Sequence, residues 1–595
     1  MHIILALFLV IPFLLNASHP ERARALLSGF DALVEKALAD FQVPGVAIAI
    51  VVDGEVVLAK GYGERDLERH LPVTADTLFP IGSCTKAFTA VALGTLIDQG
   101  LCDWDSKIVD ILPEFRLHSS YATLNMTFRD LLAHRSGLSR HDYLWYNSAF
   151  SSHELLARLR YLEPASELRE RFHYNNLMFL VAGMAMEKIT GKSYEEIVKT
   201  AILEPLKMTR TTFSQNELKR SSDAALPYLE TKQGIKKIPY RNTSLIAPGS
   251  AINSSVNELS RWIQFQLAQG VWKGKSLVHP TTFKETHLPQ VVASAYPECE
   301  GAQIYAYGLG WALQTYRGHQ NLSHDGVADG FTAVVSLLPE ERVGLVVLCN
   351  QNLSVLPRGL SVVLLDLLLE LPSRDCLAEG LERIAKNKEG LRNKTEDLSR
   401  KQGTHPSHPL TDYVGNYVHP GYGAAFITLG KDHLEATFNN ITYQLEHWHY
   451  DTFFVTSQSE ATIVPREGLK FTFHNHPDGE IDELSVPFEA HVHDIVFKRT
   501  KDAGQHSFAY LNQFVGNYEI YSYVVEIAFR NHKLCAIIPG QPVYELVPEG
   551  ESEFTVKELL GYRVRFLLTP HKAVEEVQLI PPYGLAYSAK PRKSE

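Results

Sequence analysis

The sequence predicts an α+β domain followed by two small antiparallel β domains. Three observations carry that expectation. β-rich runs stand at both ends of the region up to residue 372, Val46–Val52 and Glu55–Lys60 at one end and Phe331–Leu338 and Val343–Cys349 at the other, with helix-compatible segments between them. A charged stretch that ends in a Pro-containing run, residues 373–408, then breaks the pattern and reads as a linker. Beyond it, Leu410-Thr411-Asp412-Tyr413-Val414-Gly415-Asn416-Tyr417 recurs 101 positions later as Leu511-Asn512-Gln513-Phe514-Val515-Gly516-Asn517-Tyr518. A chain of 595 residues has room for all three domains.

Taken in order, Ile3–Leu15 is an apolar run broken only by Pro12 and followed by the small residues Ala17 and Ser18. It is too short to span a bilayer easily and suits the core of a secretory signal over residues 1–18, although no Lys or Arg precedes it. Export to the periplasm or the extracellular space is therefore expected, with no membrane span beyond that signal. Arg22–Phe41 reads as one helix. Asp53-Gly54 between two β-rich runs reads as the tight turn of a hairpin. A helix follows Ser83, and helices and loops dominate from 120 to 300. Residues 19–372 form the first domain on this reading. The two repeats open β domains over 409–500 and 506–590, each with short strand-like runs at close spacing, as in a small barrel or sandwich.

Composition narrows the function classes. The net charge is −11 and no basic patch marks a nucleic-acid partner. The six cysteines have neither disulfide-framework nor zinc spacing. Three H-x-H pairs, His447/His449, His474/His476 and His491/His493, place imidazoles on one strand face, but turn residues around them favour ordinary structure over a metal site. No cofactor and no metal are expected.

The chemistry lies in three short motifs. Ser83-Cys84-Thr85-Lys86 puts a hydroxyl and an amine one helical turn apart at a helix start. A desolvated amine near the positive end of a helix dipole loses its proton easily and can take one from Ser83. Alone, Ser83 reads equally as a cap and Lys86 as a solvated side chain. Tyr174 and Asn176, in Phe172-His173-Tyr174-Asn175-Asn176, supply a proton relay and an amide. The plainer readings are a core aromatic and a helix cap. His324-Asp325-Gly326, placed just before the strand Phe331–Leu338, supplies a histidine that can face substrate. Gly326 lets a substrate backbone approach, and the N–H of Val327 can pair with that of Ser83 around an oxyanion.

S-x-x-K, Y-x-N and H-x-G in this order resemble the serine β-lactamase-like hydrolases: class C β-lactamases, penicillin-binding proteins and their esterase and D-aminopeptidase relatives. Asp130–Leu138, Glu204-Pro205-Leu206-Lys207-Met208 and Tyr307-Gly308-Leu309-Gly310-Trp311 resemble further segments of that family. The resemblance implies a β-lactamase/transpeptidase-like catalytic domain, an antiparallel sheet flanked by helices plus an all-helical lobe. It also implies lipocalin-like barrels for the two C-terminal domains. It assigns catalysis to Ser83, Lys86 and Tyr174, and substrate binding to Asn176, His324, Gly326 and Val327. His134 and Ser136 read as structural, and no G-x-S-x-G elbow competes for the nucleophile.

The expected activity is acyl-enzyme hydrolysis of small esters or short peptides, including peptides with D-residues. The family's penicillin-directed branches carry Lys where this chain has His324, which disfavours the alternative of a β-lactamase or D-alanyl-D-alanine carboxypeptidase. A further alternative, a non-catalytic binding protein, is disfavoured because Ser83, Lys86 and Tyr174 all persist.

Overall fold

A computed structural model describes residues 18–592 apart from 232, 294–301, 394–399, 459–467, 501–507, 521–522, 531–532, 549–551, 558, 560–561, 570–572 and 582–585. The expected secretory signal and Cys299 lie outside the described residues, except for Ser18. The chain divides into two compact units: one holds everything up to Arg400 together with Phe488–His493, the other the remainder from Lys401 on.

The first unit is built on an antiparallel sheet. β1 (Gly45–Val52) and β2 (Glu55–Asp66) form the expected hairpin, with Asp53 at φ +50° and Gly54 at φ +79°, the pair of left-handed residues a two-residue turn demands. They pair with β3 (Leu71–Pro72) on one side. On the other come β4 (Val291–Val292), β5 (Ala302–Tyr307), β6 (Ala312–Tyr316), β7 (His319–Ala328), β8 (Phe331–Leu338) and β9 (Val343–Cys349). The order among the described residues is β4-β5-β6-β7-β8-β9-β1-β2-β3, so the two ends of this unit's chain meet at the β9–β1 pair. Every residue of β1 is buried because helices cover both faces. Val46, Ile48, Ile50 and Val52 face one side, with Phe30, Val34, Leu360 and Leu364. On the other side the small Ala47 and Ala49 fit under the helix Val256–Leu267.

Two elements differ from expectation. The helix expected over Arg22–Phe41 is two, α1 (His19–Leu26) and α2 (Phe30–Phe41), because Gly29 turns left-handed at φ +82°. The first half of the charged stretch 373–408 is the helix its residues allow, Cys376–Asn393, but it is packed where a linker was expected: Leu377, Leu381 and Ile384 lie on the same core as α2. Glu379, Glu382 and Lys386 lie on the solvated face of an amphipathic helix.

α3 (Thr85–Asp98) runs through the centre of the unit and is buried from Thr85 to Leu96. That fits its sequence, apolar on all sides. Phe88 stacks on Trp262 at 3.8 Å. α4 (Asn176–Thr190) is buried over its first eleven residues and starts on Asn175, whose side chain accepts from the Met178 N–H.

The second unit holds two closed eight-stranded barrels, Gly415–Arg499 and Gly516–Pro591. The repeat has a physical meaning. In the first copy the Tyr417 hydroxyl donates to the Tyr413 carbonyl at 2.9 Å, and in the second Tyr518 donates to Phe514 at 2.8 Å. Each tyrosine thus locks the opening strand to the turn before it. The same strands close their barrels, Tyr417 facing Arg499 and Tyr518 facing Pro591. No helix among the described residues is long and apolar enough to cross a membrane.

Candidate active site

Ser83 sits in a single 3₁₀ turn, Gly82–Cys84, that feeds directly into α3. Gly82 has φ +51°, and a Cβ there would lie 2.5 Å from the Val327 nitrogen. The turn therefore packs backbone to backbone on β7. Gly326 is required for the same reason. A Cβ on it would lie 1.8 Å from the Ile81 carbonyl oxygen. The sequence suggested that Gly326 makes room for substrate; the space is filled by the chain's own Ile81. The H-D-G motif stands ahead of β8 as expected, and itself lies inside a strand, β7.

Lys86 is wholly buried. Its Nζ lies 3.0 Å from Ser83 Oγ, 2.8 Å from Asn176 Oδ1 and 2.9 Å from the Gly249 carbonyl oxygen. No carboxylate among the described residues is in hydrogen-bond contact with it. Burial pushes its pKa well below that of a free lysine, and the Arg140 guanidinium pushes it the same way against the weaker pull of Asp142. Tyr174 caps the group, its ring centroid 4.8 Å from Lys86 Nζ and 4.9 Å from the Arg140 guanidinium carbon. Burial raises the phenol's pKa against the opposing hydrogen bond with Ser83, so it is a neutral donor at pH 7.

Asn176 belongs to this cluster as expected, but as the first helical residue rather than a cap. Its Oδ1 faces Lys86 and its Nδ2 donates to Asp142 Oδ1 at 3.1 Å. Asp142 also accepts from Trp145 Nε1 at 2.9 Å and from Arg140 Nε at 2.7 Å. His134, fully buried, holds the Tyr174 segment from behind. Its Nδ1 accepts from the Asn175 N–H at 3.1 Å, its carbonyl accepts from the His173 N–H at 2.8 Å, and its ring is 4.2 Å from that of Tyr174.

His324 stands on β7. Its Nδ1 lies 2.7 Å from the Asp325 carbonyl oxygen and its Nε2 2.7 Å from the Tyr307 hydroxyl. A carbonyl only accepts, so Nδ1 carries the proton and Nε2 accepts from Tyr307. Both ring nitrogens are used within the protein, and burial lowers the pKa to about 3. The other cation near the strand, Arg358, donates to Asp325 at 2.9 Å.

Ser83, Arg140, Asp142, Tyr174, Asn176, His324 and Val327 line a cavity of about 320 Å³ whose walls include Trp145, Phe172, Tyr307 and Ile246. A second cavity of about 440 Å³ shares Arg140, Asp142, Phe172 and Tyr174 with it. There the Phe488–His493 segment of the same unit packs in: Ser139 Oγ donates to Glu489 at 2.7 Å, and Phe488 stacks on Tyr143 at 4.5 Å.

The H-x-H histidines have other partners, including the Tyr450 carbonyl for His447, Ser485 for His474 and Glu163 for His493. Among the described residues no group of three or more His, Cys, Asp or Glu is placed to hold a metal ion.

Arg140, Asp142, Gly249 and Tyr307 complete the site without having been singled out in the sequence. Tyr307 and Gly249 left a trace, in the segments Tyr307–Trp311 and Ala247-Pro248-Gly249-Ser250-Ala251, both of which resemble family segments. Arg140 and Asp142 have no spacing relation to the motifs.

Comparison with known proteins gives the family of the first unit. A Beta-lactamase family model matches residues 30–365, and a domain of unknown function (DUF3471) matches 399–499. The unguisins hydrolase ungD' of Aspergillus campestris is 29% identical over 427 residues, 66% of this chain and 76% of that protein. The unguisins hydrolase ungD of Aspergillus violaceofuscus is 28% identical over 520 residues, 80% of this chain and 90% of that protein. Among solved structures, the octameric penicillin-binding protein homologue from Pyrococcus abyssi superposes with a TM-score of 0.53 at 21% identity, covering 87% of this chain and 99% of that one, a likeness of fold. The chain belongs to the beta-lactamase family.

Proposed function

We propose that the protein is a serine hydrolase that works through an acyl-enzyme on uncharged esters or short peptides, D-residue peptides among them. The observation that carries this reading is the setting of Lys86: buried, depressed in pKa, 3.0 Å from Ser83 Oγ and bonded to no carboxylate among the described residues. The hydrolase names of the Aspergillus relatives support it.

In the proposed cycle Ser83 Oγ bonds to the substrate carbonyl carbon and its proton passes to Lys86 Nζ. The backbone N–H groups of Ser83 and Val327 take the oxyanion. As the tetrahedral intermediate collapses, the leaving group departs with a proton from Tyr174, which Lys86 replenishes. Water then attacks the acyl carbon, its proton returns through Tyr174 and Lys86, and Ser83 is released protonated.

Electrostatics support the proposed substrate class. His324 is neutral at pH 7, and Arg140 and Arg358 are each paired with a carboxylate. None of them is a ready clamp for a substrate carboxylate, which supports neutral acyl groups over penicillins. A fluorophosphonate should label Ser83 and fail on Ser83→Ala. p-Nitrophenyl acetate should turn over much faster than nitrocefin. Intact esterase activity in Ser83→Ala would overturn the mechanism; faster nitrocefin turnover would overturn the substrate class.

Export remains part of the proposal. Cys376 is disulfide-bonded, which suits an oxidising compartment. Recovery of the protein only from the cytoplasm of its native host would end that idea.

A further inference from the structure

The Lys86 amine poses a counting problem. A neutral amine has two protons and one lone pair, and Lys86 Nζ has three polar neighbours. The Gly249 carbonyl can only accept and takes one proton. Asn176 is ambiguous by itself, since its amide offers an acceptor on one arm and a donor on the other. With Oδ1 toward Lys86, Asn176 takes the second proton and the lone pair is left for the Ser83 hydroxyl. With the amide turned over, Nδ2 points its hydrogen at the lone pair, and Lys86 no longer serves as the acceptor for Ser83.

We propose that Asp142 is a positioning residue that holds the Asn176 amide in the productive sense and so keeps the Lys86 lone pair on Ser83. The Asp142 carboxylate only accepts, so Asn176 Nδ2 must face it, at 3.1 Å. Turning the amide over would set Asn176 Oδ1 against a carboxylate oxygen. Asp142 is itself fixed by Trp145 Nε1 on the same oxygen and by Arg140 on the other. Its side chain is 14% exposed, so water competes weakly for these bonds. The inference rests on Ser83 being the nucleophile and Lys86 its base.

The test is the rate at which a fluorophosphonate labels Ser83 in the full-length protein, read for Asp142→Ala, Asn176→Ala and the double variant. If the wild type is not labelled at Ser83, the nucleophile reading itself fails, and the proposal with it. Given labelling, Asp142→Ala should slow the maximal rate by about 10²-fold while leaving the probe's half-saturating concentration near its wild-type value. The double variant should be no slower than the slower single one, because Asp142 acts only through Asn176. A wild-type rate in Asp142→Ala, or losses that multiply in the double variant, overturns the proposal. Should Asp142→Ala fail to fold, Asp142→Asn carries the same test. It is nearly isosteric, but its amide can pair with Asn176 in either sense. It should therefore melt close to the wild type and still label slowly; full-speed labelling by Asp142→Asn overturns the proposal equally.

Discussion

Tyr307 donates its hydroxyl proton to His324 Nε2 across 2.7 Å, and that bond takes up the last free nitrogen of the third motif's histidine. The two side chains are 3% and 6% exposed, so neither has water to fall back on.

Tyr307→Phe keeps the ring packed on His134 and Phe172 and strands the His324 lone pair. An unpaired buried acceptor costs about 1–3 kcal/mol. Denaturant unfolding should show a loss of that size with an unchanged m-value. Unaltered stability would mean that His324 finds another donor.

The pH–rate profile follows from Lys86. Activity requires the free amine, so kcat/KM should rise with pH along one acid limb that ends well below the pKa of about 10.4 of an exposed lysine. His324, with a pKa near 3, should add no step around pH 6.5. Lys86→Met should lower kcat/KM by about 10²–10⁴-fold. A wild-type limb close to pH 10 would contradict the buried-amine account.

The same group links stability to pH. In the unfolded chain Lys86 keeps its proton up to about pH 10, and in the fold it gives the proton up well below that. Between those two values the unfolded chain binds the extra proton. The contribution of Lys86 to stability therefore rises with pH across this window and is smallest below the folded value. The stability of the wild type relative to Lys86→Met should climb between pH 7 and 10, by at most about 1.4 kcal/mol per pH unit. A flat difference would rule the linkage out.

Gly326→Ala tests the packing of the nucleophile turn. The new methyl would sit 1.8 Å from the Ile81 carbonyl oxygen, a backbone atom that cannot rotate away. The turn must move off β7, at a cost of about 1–3 kcal/mol. Because Ser83 rides on that turn, fluorophosphonate labelling should fall even where the protein stays folded.

Lys207 offers a stabilising change. Its φ is +58°, in the left-handed region that favours glycine. A left-handed lysine costs roughly 1–2 kcal/mol, and glycine returns part of that as unfolded-state entropy. Lys207→Gly should raise stability by about 0.5–1 kcal/mol, measured by thermal melting, with activity unchanged.

What the sequence determined by itself is what local chemistry dictates. Asp53-Gly54 can hardly be anything but a tight turn, and the runs 331–338 and 343–349 are strands with the bounds the residues suggested. The repeat of Val-Gly-Asn-Tyr marked both barrel openings because each tyrosine bonds only four residues back. Ser83 and Lys86 were legible because one helical turn sets their distance. Only the tertiary structure decided who surrounds them. Gly249 reaches Lys86 across 163 positions of chain, Asp142 reaches Asn176 across 34, and Tyr307 on β5 meets His324 on β7 with β6 lying between the two strands. No periodicity links such residues; packing of separate elements brings them together. The same holds for Gly326, whose missing side chain looked like room for substrate until Ile81 was seen to occupy it.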